Sequence, residues 1–287
     1  GGGGILNAWG GHLTMVNSTL SGNSTPADEG GGLLNSYEHT VASLNNVTVT
    51  NNHATHGGGL RTYLGTTTIK NTIVAGNTAT GFGPDCVWDV TSDGHNLIGD
   101  LTNCAILGDP TGNVLGMSAN LGPLQNNGGP TDTHALLSGS PAINAGNNAT
   151  CEAVDQRGVA RPQGSACDMG ALEKEMISAT IDIKPGSDPN SINLKNKGVV
   201  PVALLGSATL DAATVDVGTL KFGPAGASPV HVHLEDVNGD GFADLVSHYR
   251  TQDIGLAAGD TQACLSGQTV AGVPLVGGCD AVRVISK

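Results

Sequence analysis

Three stretches open the chain in parallel. They are GGGILNAWGGHLTMVNSTLSGNS (residues 2–24), GGGLLNSYEHTVASLNNVTVTNNH (30–53) and GGGLRTYLGTTTIKNTIVAGNT (57–78). The triple glycines begin at Gly2, Gly30 and Gly57, spaced 28 and then 27 residues apart. Aligning them gives three apolar columns: Ile5, Leu33 and Leu60; Met15, Leu44 and Ile69; Leu20, Val49 and Val74. Two Asn columns follow, Asn17 with Asn46 and Asn71, and Asn23 with Asn52 and Asn77. Short β-like segments repeating at this period predict one coil of a parallel β-helix per repeat, with each apolar column stacked inside. The Asn columns should sit where the chain turns and bond the amide of the next coil. The glycines should supply tight corners. An antiparallel β-sandwich with Gly-rich loops fits three matched columns less well, and the Leu spacing of a leucine-rich repeat is absent. Residues 81–107, with HNLIGD, read as a fourth, degenerate coil.

Working outward, composition supports this fold. The chain has 287 residues, with 44 Gly, 3% aromatic and 13% charged. So little bulky side-chain volume calls for repeated backbone pairing rather than one large globular core. The formal net charge of -13 excludes a nucleic-acid partner, since phosphate binding needs basic patches. No apolar run is long enough to insert into a membrane. Six Cys fall into local pairs, Cys86/Cys104, Cys151/Cys167 and Cys264/Cys279. No CxxC or HxxxH spacing favours zinc, so disulfides and an oxidising, extracellular compartment are expected.

The stretch from 120 to 173 reads NLGPLQNNGGPTDTHALLSGSPAINAG, then DQRGVARP, then ACDMGALE. It resembles the choice-of-anchor Q domain, found after β-helix regions of bacterial surface proteins. The resemblance covers about a fifth of the chain and implies secretion and attachment to the cell surface. The family's C-terminal anchor has no counterpart in the closing residues VRVISK. From the residues alone, Asp155, Arg157 and Arg161 should fix an irregular loop that closes the end of the helix. A catalytic reading of Arg157 and His134 is the weaker alternative.

The expected fold is therefore all-β: a short right-handed parallel β-helix over 1–107, an irregular capping segment over 108–175 and a β-sandwich-like domain over 176–287. The last part holds about seven strand-like runs separated by turns such as PGSDPN and FGPAG. Its string IDIKPGSDPNSINLKNKGVVPVALL is similar to a domain of secreted bacterial proteins. Its sharpest motif is DVNGDGFAD, residues 236–244. Asp236, Asn238, Asp240 and Asp244, with the Phe242 carbonyl, place hard oxygens at alternate positions, as structural Ca2+ requires. The pattern resembles the calcium loops of dockerins and of integrin-type propeller repeats; an ion-free Asx-rich turn is the alternative. His231, His233 and His248 are a weaker metal signal.

Function follows from what the coils carry. Arg61 and Lys70 are their only cations up to residue 80, and Asp28, Glu29 and Glu38 fall in loops, a poor set for a polysaccharide lyase or hydrolase. Trp9, Tyr37 and Tyr63 are the candidates for a glycan platform. No amphipathic cap precedes the first coil, whose Gly4, Ile5 and Leu6 therefore present an open edge. The expectation is a non-catalytic extracellular structural or cell-surface protein that self-associates head to tail. The strand ending at Ile285 is one donor for that edge. A longer surface adhesin or a glycan-binding protein is the alternative.

Overall fold

The computed structural model describes residues 2–285. The chain divides into two units, residues 1–174 and 175–287.

The first unit is a parallel β-solenoid of about four turns. Its first face stacks Ile5–Asn7, Leu33–Ser36, Leu60–Tyr63 and the start of Cys86–Asp93, in the register Ile5, Leu33, Leu60, Cys86. The second and longest face stacks His12–Ser21 and Val41–Thr50. It continues through Thr66–Lys70 and Ile73–Val74, then Leu97–Ile98 and Val114–Leu115. The third is Ser24–Glu29, His53–His56 and Thr78–Phe82. All these pairings are parallel, and the first two faces bury the columns that the repeats align, while the third is largely half-buried or exposed. Leu33, Leu44, Val49, Leu60, Ile69, Val74 and Ile98 share one core. Full burial of each such side chain is worth about 1.5–3 kcal/mol.

The corners have two causes. Gly30 and Gly57 take positive φ, 64° and 67°, which a side chain resists. The glycines after them are needed for closeness instead. A Cβ on Gly32 would stand 2.7 Å from the Gly59 carbonyl oxygen of the next coil. The long strands bend at Asn17, Asn46 and Asn71, all left-handed at φ 43°, 52° and 46°, a conformation Asn tolerates. The fourth coil turns at Gly83, φ 68°, and places Pro84 and Asp85 where earlier coils have glycines.

The segment beyond the coils does not simply cover the last one. It runs back along the flank of the long face, tied to successive coils. His95 meets the Ala145 carbonyl at 2.8 Å, and Asn71 accepts from the Asn147 amide at 2.9 Å. Asn46 accepts from the Glu152 amide at 3.0 Å, and Asn17 donates to the Val154 carbonyl at 2.8 Å. The Asn17, Asn46 and Asn71 column thus serves mainly to dock this segment. Only Asn71 reaches a neighbouring coil through its side chain, donating to Asn45 Oδ1 at 3.1 Å. Ala119, Leu136, Ala142 and Met169 add a second small core over Ile73 and Leu97.

The second unit is all-β with two short 3-10 turns, Ala212–Thr214 and Val217–Thr219. A four-stranded antiparallel sheet runs Ile181–Ile183, Val199–Leu204, Asp244–Arg250, His231–Glu235. A three-stranded one joins Lys221–Phe222, Gln262–Ser266 and Cys279–Ala281. Ile183, Leu204, Phe222, Tyr249 and Leu265 form its core. Three disulfides, Cys86–Cys104, Cys151–Cys167 and Cys264–Cys279, link the local pairs. They fit an oxidising compartment. No helix among the described residues is long and apolar enough to cross a membrane.

Candidate functional site

The first coil differs from those it stacks on. Among the described residues its strands pair on one side only, with the second coil. Leu6 is 45% exposed where its register partner Leu34 is 7%. Gly4 and Ile5 donate their amides down to Gly31 and Gly32, so their other edge faces outward.

A ladder of side-chain amides runs up to this edge. Asn23 Nδ2 donates to Asn52 Oδ1 at 2.8 Å, and Asn52 Nδ2 to Asn77 Oδ1 at 2.9 Å. Asn77 Nδ2 then donates to Asp85 Oδ1 at 2.9 Å. Each backbone amide repeats the step, from Asn23 to Asn52, Asn52 to Asn77 and Asn77 to Asp85. Every rung donates toward the later coil. Asn23 Oδ1 therefore holds the acceptor position that a further coil would fill. Asp85, which ends the run, is pushed above the usual carboxylate range by burial, an effect opposed by the Asn77 and Asp100 bonds.

A line of aromatic rings follows one corner of the coils. Trp9 stacks on Tyr37 with centroids 5.6 Å apart, and Tyr63 lies 5.1 Å from Trp88. Arg61 sits 4.4 Å over the Trp88 ring and 2.8 Å from Glu29. Trp9 is 78% exposed. Trp88 and Asp85 fall outside the aligned columns, since the register Cys86 to Leu60 sets Asp85 opposite Gly59 and Trp88 opposite Thr62.

The residues weighed as catalytic are structurally engaged. His134 is buried, with Nδ1 at 2.7 Å from the Gly122 carbonyl and Nε2 at 2.8 Å from Ser21 Oγ. Arg157 pairs with Asp155 at 2.9 Å and Arg161 with Glu173 at 2.8 Å. Burial and Glu173 push the neighbouring Asp168 up to about 6. These bonds pin the flank segment.

The loop between His231–Glu235 and Asp244–Arg250 curls through Asx turns. Asp236 accepts the Gly239 and Gly241 amides, Asn238 that of Asp240, and Asp240 that of Phe242. Asp236, Asn238 and Asp240 are exposed, Asn238 Nδ2 donates to Asp240 Oδ2 at 2.9 Å, and among the described residues no three His, Cys, Asp or Glu side chains already converge as a metal-holding group. Asp244 differs. It is fully buried and accepts the Gly206 amide at 2.7 Å and the Val237 amide at 2.9 Å, so it anchors the loop from beneath. Ile285 lies in Arg283–Ile285, which already pairs with Ser191–Asn193.

Neither a family model, nor a characterised protein, nor a solved structure matches the chain. The likeness of residues 120–173 to the choice-of-anchor Q domain rests on its motifs alone.

Proposed function

We propose that the chain is a non-catalytic structural protein of a cell surface, extended through the open edge of its first coil. The observation that carries this reading is the contrast between Leu6 and Leu34, 45% against 7% exposed, at one register position. A second copy, or polypeptide upstream of Gly1, would add a coil there. Unpaired backbone groups left desolvated would each cost about 1–3 kcal/mol, which favours strand addition over a dry bare edge. In the homopolymer version the contact is head to tail and runs on into a filament. The coils wind right-handed, as parallel crossovers do, and the two sheets of the second unit pack as a β-sandwich. Ca2+ on Asp236, Asn238, Asp240 and the Phe242 carbonyl, above the Asp244 anchor, ties two strands together. The motifs of residues 120–173 support secretion and surface attachment, and the disulfides agree with it.

Sedimentation velocity of the oxidised chain tests the assembly. Multimers that Leu6→Lys converts to monomers support it, and monomeric wild type at all concentrations argues against self-assembly. A second reading is favoured by the line Trp9, Tyr37, Tyr63, Trp88, which offers aromatic surface to a glycan.

A further inference from the structure

We infer that His231, His233 and His248 form a binding site for a divalent transition-metal ion, Zn2+ first among them. His231 and His248 are directly paired across two antiparallel strands, and His233 lies two residues along the same face. Their ring centroids are 5.5 Å (His231 to His233), 5.5 Å (His231 to His248) and 5.7 Å (His233 to His248) apart. Three imidazoles bound to zinc at about 2.0–2.1 Å place their centroids roughly 5–5.5 Å apart in a tetrahedral arrangement. The backbone therefore already holds the rings at ligating separation.

The rings still have to turn. They lie at interplanar angles of 31°, 47° and 26°, and among the described residues no three His, Cys, Asp or Glu side chains already form a metal-holding group. That rotation is open to them, because His231 is exposed and His233 is 39% exposed. Two nitrogens await a partner: Nδ1 of His233 and Nδ1 of His248 are buried without a hydrogen bond. His233 Nε2 stands 3.3 Å from Glu235 Oε2, the outer-shell carboxylate that orients many metal-binding imidazoles through the opposite nitrogen. The site is distinct from the oxygen loop at 236–244, whose donors suit a harder ion.

The test is titration of the full oxidised chain with ZnCl2 by calorimetry, with excess CaCl2 present to saturate the loop. Saturable uptake of one Zn2+ is expected, with Co2+ replacing it and giving a visible d–d spectrum. His248→Gln and His231→Gln should each weaken binding by more than the roughly 10–100-fold that loss of an outer-shell partner costs, and Glu235→Gln by an amount within that range. Asp240→Ala should leave it unchanged. If His248→Gln disturbs folding by near-UV circular dichroism, His231→Gln, at an exposed position, carries the test. Absence of saturable uptake, or uptake unaltered in His231→Gln, overturns the proposal.

Discussion

Asn52 is fully buried, and its amide donates to Leu20, Thr50 and Asn77 while its oxygen accepts twice from Asn23. Removing it leaves several buried groups unpaired, each costing about 1–3 kcal/mol. Asn52→Ala should therefore lower the unfolding free energy by about 3 kcal/mol or more, read as a shift of the urea midpoint. A change below about 1 kcal/mol would show that water replaces the ladder. Asp168 gives a pH signature. Its folded pKa, about 6, lies above the ordinary carboxyl value, and Asp85 is shifted the same way. The stability such a group contributes is full below its unfolded pKa and is lost as pH rises through the folded one. Thermal midpoints should climb as pH falls from about 6.5 to 4, and Asp168→Asn should flatten part of that slope. A wild-type midpoint that falls over this window contradicts the assignment.

At the level of coils and strands, glycines at different corners have different costs. Gly32→Ala drives a Cβ against the Gly59 oxygen of the neighbouring coil and against Val49 of its own coil, so it should destabilise by about 1–3 kcal/mol through overpacking. Gly22 has open space but φ 70°, so Gly22→Ala should cost only the left-handed conformation, about 1–2 kcal/mol. Equal effects at the two sites would show that close approach is not the cause. The apolar columns were legible because each coil repeats its inward side chains in register, and Ile5, Met15 and Leu20 pair where the alignment puts them. The Asn17 column was legible as a turn but not in its partners, which lie more than a hundred residues away, at Glu152 and Val154. The fourth corner escaped because Gly83, Pro84 and Asp85 share one glycine with the triplets. The histidines were visible as one strand face only if the two strands pair in the register that sets His231 against His248.

Across the molecule, the disulfides span short separations of 18, 16 and 15 residues, and closing a loop of that size is worth about 3 kcal/mol. Replacing Cys151 and Cys167 by Ser should loosen the flank segment first, seen as early proteolysis within 145–170. Uniform loss of the whole first unit would instead make the segment part of the coil core. Chelation should lower the melting temperature of residues 175–287, and Asp240→Ala should abolish that sensitivity; a melting curve indifferent to chelator sinks the calcium loop. The first coil's edge should accept another strand set. Electron microscopy of the oxidised wild-type chain, beside Leu6→Lys, tests it most directly. Filaments with coils continuous across each junction are expected for the wild type and none for the variant, whereas dispersed single particles in both would argue against head-to-tail assembly.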